Sequence, residues 1–430
     1  MGAENGESSR VITWTRVLTV FTVLLVAKTA AELWLDALNR RQVQANAGVV
    51  PAGLKEIIDG PTYQKSVDYT LTKNSFGQWQ TLYDAGWLFA WLGLGWAPLV
   101  YGAVAGALGR TLWAQAAVLF VMMIVLALPG IPWDWWGQFR LEERFGFNRT
   151  TTKVWVTDKL KGLALGVALG YPLLLALLGF FRWQPRWWWL WAWAALLLFQ
   201  LVMMVLAPKV ILPLFNKLTP LPEGPLRERL MELAQRTGFQ CSTIEVIDGS
   251  KRSGHSNAFF TGFGRFRRIV LYDTLIAQMT PPELEAVLAH EIGHYRCGHV
   301  PKMLAVSALL SLAGFGLLGW LAGQAWFAAG FGFDPALGMP ATLLLFMMVA
   351  DLGTFWLTPL GNLWSRKHEY EADAFARAAM HDAGPMVQAL RKLHEKNLSN
   401  LTPHPVYSFF YYSHPTLVER EAALRAPAPA

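Results

Sequence analysis

The stretch Val287-Leu288-Ala289-His290-Glu291-Ile292-Gly293-His294 stops just short of a long apolar run that begins near Leu304. Residues four apart share one face of an α-helix, so His290 and His294 can offer both imidazoles to one cation, with Glu291 positioned to meet a water held there. Local chemistry supports the helix. Upstream, Thr280, Pro281, Pro282 and Glu283 read as an N-cap, two prolines tolerated in the first turn, and a capping-box glutamate. The competing reading is two helix histidines with polar partners and no metal, and a third donor elsewhere would decide between them.

A catalytic zinc takes three protein ligands and keeps a position open for water. The run RKHEYEAD, residues 366–373, offers Glu369 and Glu371, with His368 beside them. A carboxylate one turn beyond the ligand can accept the free N–H of a metal-bound imidazole and fix its tautomer. Four residues on from Glu369 is Asp373, whereas four on from Glu371 is Phe375. Glu369 is therefore expected as the third ligand and Asp373 as the carboxylate that orients a histidine. Glu371 is expected to face away, on a solvated or salt-bridged side of the helix.

Around these polar runs the chain is too apolar for a soluble protein. Of its 430 residues 53% are hydrophobic and only 16% charged, 21 are tryptophan, and the mean hydropathy is +0.29. Segments long enough to cross a hydrocarbon core recur near 14–35, 84–108, 112–133, 162–181, 186–207, 303–328 and 341–361. The first is too long for a cleavable signal and leads into further spans. The expected fold is mainly α: about seven transmembrane helices and a zinc metalloprotease domain carrying a small β-sheet. Residues 1–208 would hold five spans and their loops, 209–302 the first half of the zinc domain, 303–361 two further spans, and 362–430 the second half. The short runs STIEVIDG, NAFFTGFG and RRIVLYDTL read as strands and LRERLMELAQRTGF as a helix.

Basic residues orient the spans. Arg40, Arg41, Lys55, Lys65 and Lys73, then Arg140, Arg144, Arg149, Lys153 and Lys159, share a side with both polar segments. The opposite side holds little beyond Arg10, Arg16, Arg110, Arg182 and Arg186. The positive-inside rule then places the amino terminus outside and the zinc domain in the cytoplasm. The net charge of +7 reflects this topology and gives no support to nucleic-acid binding. Cys241 and Cys297 lack partners at zinc-site spacing and read as ordinary small residues on the cytoplasmic side. The sequence closes on APAPA, neither a prenylation box nor a retrieval signal, which points to a bacterial inner membrane, or the endoplasmic reticulum if the source is eukaryotic. Asp351, an ionisable group inside an apolar span, would line a chamber or pair with a neighbouring span.

The pair HEIGH and SRKHEYEADAFA, set among these spans, resembles the gluzincin peptidase family M48 and within it the Ste24-type CAAX prenyl proteases. EERFGFNRTT at 142–151, LPLFNKLTPL at 212–221, SNAFFTGFGRFRRIVLYDTL at 256–275 and YSHPTLVER at 412–420 extend the resemblance over most of the chain. It implies helices surrounding an internal chamber, one Zn2+ per chain, and a peptide or protein substrate. The family's reaction removes three residues after a prenylated C-terminal cysteine, in contact with membrane lipid. It further implies that Asn257, Ala258 and Phe259 form the edge on which the peptide lies as an added strand, and that His414 stabilises the oxyanion. Arg420 would meet a substrate carboxylate or a structural acid. His255, His299, His368, His381, His394 and His404 have no spacing that demands a metal and are expected to be surface or structural residues. Two alternatives remain at this stage: an HtpX-like membrane quality-control protease, and a seven-helix receptor or transporter with a structural zinc closed by four ligands.

Overall fold

The computed structural model describes residues 2–56, 58–261 and 267–427, with side chains from residue 14 onward. The side chain of Arg10 and residues 262–266, which belong to the quoted runs after Phe260, lie outside the described residues.

Among the described residues five helices are long and apolar enough to cross a membrane: Trp14–Ala45, Thr152–Trp183, Trp188–Phe215, His299–Ala322 and Met339–Met380. Two bent pairs raise the number to seven, Gly60–Leu92 with Trp96–Leu108 at 61° and Leu112–Ala127 with Gly130–Phe145 at 40°. All seven expected spans therefore have helical counterparts, with different shapes. The expected span 84–108 is broken at Gly93-Leu94-Gly95, where Gly95 takes φ 78°, a left-handed conformation that glycine adopts without penalty. Several helices also outrun the bilayer, because polar residues at their ends are helix formers as well. Between the spans, Trp91, Leu92, Leu119, Met122, Leu178, Trp188 and Leu344 form a buried core. Asp351 pairs across it with the first span, its Oδ2 lying 3.1 Å from Lys28 Nζ.

The polar segments build a four-stranded sheet in the order β1-β2-β4-β3, from β1 (Leu218–Pro220), β2 (Thr243–Ile247), β3 (Ala258–Thr261) and β4 (Arg268–Tyr272). β2 and β4 run parallel; the outer strands are antiparallel to their neighbours. Three of the four follow the expected runs. β1 lies in what reads as a turn-rich segment, and three residues with a terminal proline give too little alternation to be seen.

Helix Pro281–Arg296 begins on the expected capping box, with Thr280 and Glu283 satisfying each other's backbone N–H groups. Its Leu284, Leu288 and Ile292 pack on Ile244, Ile269 and Leu271 of the sheet and on Leu230 and Leu233 of helix Pro225–Arg236. Burial on nearly every side makes this helix the axis of the domain. The loop around Phe147 folds onto the same domain: Gly254 N–H donates to the Phe147 carbonyl at 2.9 Å and the Phe147 ring stacks on His255 at 4.0 Å.

Candidate metal centre

Two helices carry the site, and their closeness has a local cause. Gly293 faces Ala372 on helix Thr358–Met380 so tightly that a Cβ at 293 would lie 3.0 Å from both Ala372 Cα and its carbonyl oxygen. Small residues at the crossing let the backbones touch, which brings His290 and His294 from one helix against Glu369 from the other.

Three side chains converge, the carboxylate through both of its oxygens. His290 Nε2 lies 3.2 Å from His294 Nε2, His294 Nε2 lies 3.3 Å from Glu369 Oε1, and His290 Nε2 lies 3.5 Å from Glu369 Oε2. Tetrahedral zinc with bonds of about 2.0–2.1 Å needs ligand atoms about 3.3–3.4 Å apart, so the set fits one such cation. The buried Glu369 Oε2 makes no hydrogen bond, its nearest cationic group being Arg420 Nη1 at 3.5 Å, and a buried carboxylate oxygen left without a hydrogen bond gains from a bound cation. Three ligands leave a coordination place for water, as catalysis requires and a closed structural site does not.

The rings are held from behind. His290 Nδ1 lies 2.8 Å from Asp373 Oδ1, the carboxylate four residues beyond Glu369. Arg420 holds that carboxylate from the other side, Nε donating to Oδ2 at 2.8 Å and Nη2 to Oδ1 at 2.6 Å. The buried Arg420 thus meets a structural acid, and its Nη1 also reaches Glu369 Oε2 at 3.5 Å. Burial works against a charged His290, but the hydrogen bonds to Asp373 and Glu369 outweigh it and bring the imidazole up to about 9. A proton therefore competes strongly with a cation for this nitrogen.

His294 has a support that the spacing does not reveal. Its Nδ1 lies 2.9 Å from Nδ1 of the buried His299, whose Nε2 lies 2.9 Å from Glu371 Oε2. With His294 Nε2 turned to the cation, Nδ1–H donates to His299, and His299 Nε2–H donates to Glu371. Glu371 does point away from the three ligands, as expected, and its other oxygen reaches Lys367 at 3.9 Å. His299 is structural in a more specific sense than the sequence suggests.

A cleft of about 370 Å3 opens on the donors, lined among others by Asn257, Ala258, Glu291, His414 and Arg420. Glu291 faces it, and burial pushes its carboxyl above the usual carboxylate range. His414 Nε2 stands 3.4 Å from Glu369 Oε1 with most of its side chain exposed to the cleft. β3 is the sheet edge, and its first residue, Ala258, borders the same space beside Asn257. Phe259 pairs with Val270 in β4 and turns its ring toward Tyr272, at 6.4 Å. A second polar cavity of about 400 Å3 shares Asn397 and Ser399 with the cleft and continues between the helices to Asp36, Tyr69 and Lys73.

Comparison with known proteins agrees with this arrangement. Residues 39–217 match the CAAX prenyl protease N-terminal family, described by five membrane helices, and residues 220–428 match peptidase family M48. CAAX prenyl protease 1 of Saccharomyces cerevisiae is 34% identical over 96% of this chain and 95% of its own length. The Homo sapiens CAAX prenyl protease 1 homolog is 31% identical over 94% and 95%. The crystal structure of S. mikatae Ste24p superposes with a TM-score of 0.88 at 33% identity, covering 95% of this chain and 99% of that one. Neither the quality-control nor the receptor alternative is favoured by these matches. The chain belongs to peptidase family M48, as a multi-pass membrane metalloendopeptidase related to the CAAX prenyl proteases.

Proposed function

We propose that the protein is a zinc endopeptidase that cleaves after a prenylated cysteine near a substrate's C-terminus, with one Zn2+ held by His290, His294 and Glu369. The observation that carries the reading is the 3.2–3.5 Å approach of the two imidazole nitrogens and the Glu369 carboxylate oxygens to one another, which suits a four-coordinate cation with one place left over. Zinc bound there supplies Lewis-acid polarisation of the peptide carbonyl and a water that is nucleophilic at neutral pH. Glu291, its carboxyl raised toward neutrality by burial, takes the proton of the attacking water and delivers it to the leaving amine. His414 donates to the developing oxyanion from the open side of the cleft. Asp373, itself held by Arg420, keeps the His290 N–H directed away from the cation.

The peptide lies along the free edge of β3, with Asn257, Ala258 and Phe259 supplying the backbone that receives it as an added strand. The two adjoining polar cavities, which share Asn397 and Ser399, give the segment around the cut a place out of lipid. The zinc domain faces the cytoplasm, a placement supported by the arginines and lysines of the loops on its side.

The test is mass spectrometry of a farnesylated CAAX peptide and its unfarnesylated twin, incubated with the detergent-solubilised protein and with Glu291→Gln. Cleavage directly after the farnesylcysteine, absent from the variant, is expected. If neither peptide is cut while one zinc per chain is bound, the prenyl substrate is refuted and the metal assignment stands.

A further inference from the structure

Cys297 and Glu371, unremarkable in the sequence, meet in space beside His299. Helix Pro281–Arg296 stops at Cys297, Gly298 reverses the direction at φ 68°, and helix His299–Ala322 starts at once. Glu371 arrives from helix Thr358–Met380. One ligand-type atom from each of Cys297, His299 and Glu371 lies within 4.8 Å of the others. A thiolate, an imidazole and a carboxylate are a ligand set that suits zinc, needing mutual spacings of about 3.3–3.8 Å, and Cys297 and Glu371 are only half-buried.

We propose that Cys297, His299 and Glu371 form a second site for a divalent zinc-like cation, coupled to the catalytic one through the contact between His294 and His299. The coupling follows from counting protons, and it rests on His294 being a catalytic ligand. With a cation on His294 Nε2, the single N–H of that neutral ring is on Nδ1, and it donates to His299 Nδ1 at 2.9 Å. His299 then carries its own proton on Nε2, facing Glu371. A second cation on His299 Nε2 displaces that proton, which the ring takes up on Nδ1; the Cys297 thiol releases its proton to solvent. Two N–H groups now point at each other across 2.9 Å, where one hydrogen bond stood. Each cation therefore weakens the hold on the other, and by reciprocity the factor is the same in both directions, about tenfold.

Cobalt(II) titration of the metal-stripped, full-length protein in detergent tests this. The first equivalent is expected to give visible ligand-field bands without sulfur character. The second is expected to add near-ultraviolet thiolate-to-cobalt charge transfer and to diminish the first bands. Cys297→Ala should lose the charge-transfer band and keep the first bands and basal activity. Glu369→Ala, with its catalytic site weakened, should then take up cobalt at the sulfur-bearing site about tenfold more tightly than the wild type. Uptake of a single cobalt with no charge-transfer band, or a band that survives in Cys297→Ala, overturns the second site alone. If the first equivalent already carries the sulfur band and Glu369→Ala leaves it unchanged, the catalytic assignment falls and the coupling falls with it.

Discussion

Gly293→Ala separates two opposed effects at the crossing of the ligand helices. In an isolated helix the change gains about 1 kcal/mol from propensity. Here the new Cβ meets Ala372 Cα and O at 3.0 Å and Phe375 Cβ at 3.2 Å. Carbon contacts settle at about 3.5–4.0 Å, so the helices must separate by about half an ångström. Overpacking of that kind costs about 1–3 kcal/mol, which leaves the fold destabilised by at most about 2 kcal/mol after the propensity gain. The metal feels the same displacement more acutely. Donor spacings of 3.2–3.5 Å suit zinc as they stand, and metal sites tolerate about 0.2 Å. Zinc affinity should therefore fall about 10–100-fold, comparable to losing a group that orients a ligand. Competition with a chromophoric chelator measures this, with circular dichroism confirming that the helices persist. A variant that binds zinc like the wild type and melts at a higher temperature would show that the backbones are not in contact and that the reasoning is wrong.

Glu291→Gln should retain one zinc per chain and lose turnover by about 10²–10⁴-fold, whereas Glu369→Ala should lose zinc itself; metal analysis of both variants distinguishes base from ligand. Asp373→Asn leaves Arg420 buried beside a neutral amide and weakens the acceptor of His290, so both zinc affinity, by about 10–100-fold, and thermal stability should drop; unchanged melting would refute the buried pairing. Zinc must displace a proton from His290, whose imidazole sits at about 9, so affinity should rise with pH, by about tenfold per unit up to that point. A flat dependence between pH 6 and pH 8, measured by chelator competition, would mean that His290 is not a ligand. Removal of zinc by a strong chelator should abolish cleavage, and its return should restore it.

The parts of this site that lie one helical turn apart are legible in sequence. His290 and His294, and again Glu369 and Asp373, are four residues apart, and a helix converts that interval into a shared face without further information. His299 is five beyond His294, an interval that shares no face on a continuous helix. It reaches His294 only because the axis changes at Cys297 and Gly298. The meeting of Cys297 with Glu371 depends on two helices crossing and has no local signal at all. Among the spans, hydropathy reports that residues 84–108 are apolar, yet it is blind to direction, so the bend at Gly93-Leu94-Gly95 is lost. The role of Gly293 is hidden for a similar reason: a glycine in HEIGH reads as a weakness in a helix until its neighbour across the crossing is known.

Both ligand helices are built end to end with membrane spans. Helix Pro281–Arg296 hands over to span His299–Ala322 after two residues, and the helix bearing Glu369 extends span Met339–Thr354 past one tight turn at Phe355–Leu357. From Thr358 to Glu369 the rise is about 16 Å. The cutting position is thus set at a fixed height by rods that are rooted in lipid, and a substrate is measured by how far its bond stands from the bilayer as much as by its sequence. The same rods tie the donor spacing to the spans: any tilt of one span against the other moves Glu369 against His290 and His294.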